Sequence, residues 1–199
     1  MIDDGLQDPR RAGGLPKEPD FRSMDEAAPT TADKRTFLLA LIGNLSFVWS
    51  NNESMFIYLT KVLLQTDEAS AVIVFVSLTT ARSRIELVER LAKAKVKDLT
   101  LLSDLNAVVA RFNECTKVRN EFNHCMYAVD VSGALSATQS FRIRDVDGAP
   151  TLERPKPIDE ARIERLVATI EDMKAINRDI WTLLPRLQDH LGSVSATSP

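Results

Sequence analysis

The stretch Lys117-Val118-Arg119-Asn120-Glu121-Phe122-Asn123-His124-Cys125 holds an arginine-asparagine pair and one of only two histidines in the chain. A guanidinium grips phosphate through its planar fork of donors, and an imidazole moves a proton near neutral pH. Together they are the groups that metal-free phosphodiester chemistry needs. On a helix, Val118, Phe122 and Cys125 stand at i, i+4 and i+7 and share one apolar stripe. Arg119, Asn120, Asn123 and His124 then fan across the opposite side. Arg119 and His124 lie about 140° apart on an ideal helix, so their direct cooperation requires long side chains, a distorted last turn or a second subunit. Asn120, one turn before His124, can fix the tautomer of the ring or meet the substrate itself.

The pair Arg119-Asn120 followed by His124 resembles the motif of HEPN domains, an arginine usually followed at once by Asn, Asp or His and then by a histidine four to six residues on. The resemblance implies a helical bundle, often dimeric, of a family that includes many metal-independent endoribonucleases of toxin-antitoxin, abortive-infection and CRISPR systems. It implies His124 as the acid-base group, Arg119 as the phosphate binder and Asn120 as a supporting polar residue. Trp49 followed by Glu53 is also similar to the first helix of bacterial HEPN-like proteins. As partners the resemblance implies a homodimer with paired motifs lining a cleft, an RNA substrate and an antitoxin protein.

Positioning such a face takes a real core, and 199 residues with 44% hydrophobic content suit one domain with tails. The longest apolar run, Ala71 to Val76, is far shorter than the roughly 18 residues of a membrane span. With no charged-then-apolar signal pattern at the N-terminus, the expected location is the cytoplasm. Cys115 and Cys125 fall on one expected helix, about 15 Å apart along its axis, too far for a disulfide. Two Cys and two His give no zinc-type spacing, and the seven glycines form no phosphate-cradling loop, so neither metal nor cofactor is expected. Residues 1–33 hold eight acids against four bases, a net of −4, and the remainder holds 21 bases against 20 acids, +1. A near-neutral body permits a local phosphate site but excludes a broad basic binding surface.

The expected architecture is all-α: four long helices in a bundle, residues 34–191, with a small β-hairpin or ribbon at about 127–153 between the third and fourth. Residues 1–33, with four prolines and three glycines, read as a disordered acidic leader, and 192–199 as a flexible tail. The first helix carries the stripe Leu38, Leu41, Leu45, Trp49, Phe56, Leu59 and Leu63. Asn52 lies inside that stripe and Glu53 on its rim, which marks an internal polar contact, with Glu53 a candidate to orient Arg119 or Arg82 from across the bundle. Asp67 caps a second helix running to about Val96, whose apolar first half should be central and whose basic second half (Arg82, Arg84, Arg90, Lys93, Lys95, Lys97) reads as a solvated face or an RNA-facing patch. A third helix, from about Thr100 to Met126, ends in the motif. Asp147-Gly148 signals a hairpin turn, and Arg142 and Arg144 share a strand face beside the site. Asp159 caps a last helix that Pro185 interrupts and Gly192 ends.

The candidate site is therefore His124, Arg119 and Asn120 as the reacting groups, with Asn123, Glu53, Asn52 and Arg82 as supporting or substrate-binding residues. Two readings follow: a metal-independent endoribonuclease, and a non-catalytic helical module that dimerises or binds a protein or nucleotide partner.

Overall fold

The computed structural model of the chain describes residues 34–130, 134–141, 143–146 and 149–196. The expected leader at 1–33 and the residues Arg142, Asp147 and Gly148 lie outside these. Among the described residues the fold is mostly helical, with five helices rather than four: α1 (Lys34–Leu64), α2 (Glu68–Ser77), α3 (Ala81–Lys95), α4 (Leu99–Asn123) and α5 (Glu160–Ala196). Between α4 and α5 run β1 (Cys125–Val129), β2 (Leu135–Ser140), β3 (Ile143–Val146), β4 (Ala149–Leu152) and β5 (Lys156–Pro157). Among the described residues no helix is long and apolar enough to cross a membrane.

α1 packs along α5, α4 lies against both, and α2 and α3 cover another side of α1. The stripes meet in one core. Leu45, Phe56, Leu59 and Leu63 of α1, Leu105 and Phe112 of α4, and Leu166, Met173, Ile180, Leu184 and Leu187 of α5 are fully buried. Asn52, also fully buried, bridges α1 to α5: its Nδ2 donates to the Met173 carbonyl at 2.8 Å and its Oδ1 accepts from Asn177 at 3.1 Å. Across the α4–α5 seam, Arg111 is held between Asp172 and Asp179.

The expected second helix is broken in two. At Leu78 the backbone turns extended, and the hydroxyl of Thr80 accepts from the amide of Ser83 at 3.1 Å to cap a new start. Nε of Arg84 reaches back to the carbonyls of Phe75 and Leu78 at 3.2 and 3.0 Å, satisfying orphan acceptors at the end of α2. Nor is α2 central. Only Ala71 and Phe75 are buried, while Ile73 and Val76 are more than half exposed. Asp67 and Asp159 do cap helices, and so does Asp98, which the sequence reading did not single out, each accepting from an amide two or three residues on.

The ribbon is wider than expected. β1, β2 and β5 form one antiparallel sheet and β3 pairs with β4 in another. Pro157 belongs to edge strand β5, opposite Ala137, so the strands extend beyond the expected end near 153. Cys125, expected on the third helix, begins β1. Gly192 stands inside α5, which continues to Ala196, so Gly192 does not end the helix, and the last three residues of the expected tail lie outside the described residues. His190 accepts the amide of Lys97 at 3.0 Å, tying α5 to the α3–α4 connection.

Candidate functional site

α4 ends one residue before His124, and this ending builds the site. His124 is the C-cap, with φ −122° and ψ 55°, and its amide donates to the Asn120 carbonyl at 3.1 Å. Other last-turn acceptors are met from β1: the Tyr127 hydroxyl donates to the Phe122 carbonyl at 2.5 Å, and the Cys125 thiol reaches the same oxygen at 3.4 Å. Leaving helical geometry at His124 swings its ring back over the last turn. The separation of about 140° that an ideal helix would impose is thereby removed.

The consequence is a direct contact. Nη1 of Arg119 lies 3.0 Å from Nε2 of His124 and donates to Oδ1 of Asn120 at 3.0 Å. Because a guanidinium has only donors, Nε2 accepts, and the neutral ring then carries its proton on Nδ1. Arginine rather than Asn120 thus sets the tautomer.

α1 supplies the floor. The guanidinium carbon of Arg119 stands 4.2 Å from the centre of the Trp49 ring, and Trp49 is fixed by its Nε1 donating to Thr116 at 2.9 Å and by stacking on Phe112 with ring centres 6.0 Å apart. Partial burial against this ring lowers the Arg119 pKa from its usual value, while the nearby charge of Glu53 raises it. The group stays cationic throughout the useful pH range. Its Nε is buried and has no hydrogen-bond partner among the described residues. His124 and Asn120 are exposed.

These groups line a groove of about 940 Å³, walled by Trp49 and Glu53 of α1, the start of α3 with Arg82 and Arg84, and Lys117, Arg119 and Asn120 of α4. The supporting residues divide. Glu53 lines the groove but pairs with Arg84 at 2.8 Å, not with Arg82 or Arg119. Arg82 stands on the rim, its side chain 88% exposed, and bonds Glu86 along its own helix. Asn52 is in the core, away from the groove. Asn123 turns to α1, where Nδ2 donates to Ser46 at 2.8 Å. Both asparagines brace the helices that carry the site and do not enter it.

Sequence reasoning placed Arg84 only in a basic patch that reads as a solvated face or an RNA-facing surface, and did not assign Lys117 or, behind the motif, Arg162 to the site. Nη2 of Arg162 donates to Glu121 and to Thr138, each at 2.9 Å, and Nη1 to the carbonyls of Lys156 and Pro157, each at 2.9 Å. One side chain of α5 thereby fastens the ribbon to the end of α4. Its spacing in sequence carried no signal, since those partners lie up to 41 residues away. Among the described residues, no group of three or more His, Cys, Asp or Glu side chains could hold a metal ion. Comparisons of the chain with protein-family models, with curated proteins and with solved structures find no match.

Proposed function

We propose that the chain is a HEPN-like, metal-independent endoribonuclease, with Arg119 and His124 as its reacting pair. The observation that carries this reading is the 3.0 Å contact between Nη1 of Arg119 and Nε2 of His124 on the wall of an open groove. In the resting site each group occupies the other. An RNA phosphate that enters the groove replaces His124 as the acceptor for Arg119 and frees the Nε2 lone pair. His124 then takes the proton of the 2′-hydroxyl, the 2′-oxygen bonds to phosphorus, and the bond from phosphorus to the 5′-oxygen breaks. The proton passes to that leaving oxygen, directly from His124 or through water, while Arg119 neutralises charge on the phosphoryl oxygens. The products are a 2′,3′-cyclic phosphate and a 5′-hydroxyl. Asn120, bonded to Arg119, holds the guanidinium toward the ring.

The same reading makes the protein a cytoplasmic homodimer whose two grooves face one another, restrained by an antitoxin partner. The test is cleavage of RNA in the presence of EDTA by the wild type and by His124→Ala. Cyclic-phosphate ends that disappear in the variant, with its melting curve unchanged, support the assignment, and undiminished cleavage by the variant overturns it.

Glu53, Glu86, Glu89 and Glu114 on the groove wall favour a second reading, a non-catalytic interaction module, because they offset the positive field of Arg82, Arg84, Lys117 and Arg119. Expression without a partner separates the two: a nuclease slows growth of the host, and a binding module does not.

A further inference from the structure

His124 stands on a ridge. Behind it lies a second groove of about 650 Å³, bounded by Lys117, Asn120 and His124 on one side and by Thr138, Phe141, Lys156 and Arg165 on the other. Lys117, Asn120 and His124 belong to both grooves, so a strand that leaves the Arg119 groove over the imidazole runs into this second one.

Its chemistry differs from that of the first. Phe141, just past the end of β2, is 60% exposed and lines the groove. An isolated exposed aromatic is ordinary, but this one lines a groove that Lys156 and Arg165 line as well. Of the two acids on the walls, Glu121 is already engaged by Arg162, whose side chain is only 14% exposed. Arg165 is held more loosely, 3.5 Å from Glu121, and its side chain is 59% exposed. A planar apolar face in one groove with exposed cations is the combination that takes one unpaired base and its phosphate. A base within a duplex cannot present its face to such a ring.

We infer that the groove between the ribbon and the α4–α5 pair binds the nucleotide next to the scissile phosphate of single-stranded RNA, with its base stacked on Phe141 and its phosphate between Lys156 and Arg165. The inference rests on the ribonuclease reading for the identity of the scissile bond. The stacking and charge contacts themselves do not require catalysis, and this separates the two experimentally.

The experiment uses the full chain and a fluorescent ten-nucleotide RNA carrying 2′-O-methyl groups, which binds but lacks the attacking hydroxyl. Affinity is read by anisotropy for the wild type, Phe141→Ala, Phe141→Tyr and Lys156→Ala, with melting curves as controls on folding. Loss of the ring weakens binding about tenfold and tyrosine restores it, as expected for stacking. Lys156→Ala weakens binding of every sequence alike and reduces the salt dependence by about one counterion. A duplex of the same sequence binds the wild type less tightly and ignores Phe141→Ala.

Unchanged affinity in Phe141→Ala and Lys156→Ala overturns the subsite, even if the unmethylated strand is cut in a His124-dependent way. Phe141-dependent binding without any cutting of the unmethylated strand supports the subsite and removes the ribonuclease reading. A wild type that binds no single-stranded RNA, as a module for a folded protein partner would behave, overturns both.

Discussion

Arg119 and His124 share one hydrogen bond, from Nη1 to Nε2 across 3.0 Å, and the carbon of the same guanidinium lies 4.2 Å from the centre of the Trp49 ring. The arginine thus has an indole against its guanidinium and an imidazole and an amide within hydrogen-bond reach of Nη1. A lysine would carry the charge but has neither the plane nor the fork.

Arg119→Lys is therefore expected to lower the rate of RNA cleavage by about 10²–10³-fold, the usual cost of losing one aligned donor to a developing oxyanion. Loss of stacking on Trp49 accounts for about 0.5–1 kcal/mol of stability. Single-turnover cleavage and thermal melting measure the two effects separately. A variant that cuts at the wild-type rate would show that charge alone suffices at this position.

Asn52 separates structure from chemistry. It is fully buried and joins α1 to α5 through Met173 and Asn177. In Asn52→Ala the Met173 carbonyl and the Asn177 amide lose their partner in the core, which costs about 1–3 kcal/mol. Urea unfolding should show that loss, with the cleavage rate per folded molecule unchanged. A proportionate fall in rate with no loss of stability would instead put Asn52 in the site.

The asparagine on an apolar stripe was legible in the sequence as a polar contact in the core because a helix fixes which residues share a face. The caps Asp67 and Asp159 were legible because capping is local, whereas the Asp98 cap of α4 went unread. What failed was continuity. Val74, Leu78, Ala81 and Ile85 fit one helical face, and that pattern masked the cap formed by Thr80 and Ser83. Once the helix breaks at Leu78, the angular phase of all later positions resets, so Arg84 rather than Arg82 meets Glu53. The contact of Arg119 with His124 was legible only as a condition: a regular helix separates them, and of the routes the spacing left open it is the end of α4 at Asn123 that brings them together. Phase is dependable inside an element and undefined across its ends.

Arg162 tests how far the ribbon depends on one clamp. Its side chain and that of Glu121 are 14% and 23% exposed, so removing the guanidinium strands a partly buried carboxylate as well as Thr138 and two carbonyls. Arg162→Ala should cost about 2–3 kcal/mol, between a charged hydrogen bond and a fully buried pair. Hydrogen exchange should quicken at the amides of β1, β2 and β5 and much less in the buried turns of α1 and α5. Uniform quickening through the molecule would mean that the ribbon and helices open as one unit.

Alkaline pH probes the seam between α4 and α5. The thiol of Cys115 is 4% exposed and donates to Asp172 at 3.4 Å. Burial first, then the charge and hydrogen bond of Asp172, push its pKa from 9.0 up to about 12. Between these values the folded chain keeps a proton that the unfolded chain has released, so the unfolded state binds fewer protons and stability falls as pH rises. The contribution is intact below about pH 9 and is lost progressively toward pH 12, with a limiting slope of about 1.4 kcal/mol per pH unit for one group. Burial also raises the pKa values of Cys125 and Tyr127, and both add to the decline in the same direction. The melting temperature should therefore hold steady up to about pH 9 and then drop. Cys115→Ala removes one titrating group and leaves Asp172 bonded to Arg111, so its curve should fall less steeply over the same interval. If the two curves run parallel above pH 9, the thiol is not what titrates, and the decline belongs to the other groups whose pKa burial raises, Cys125, Tyr127 and Tyr58.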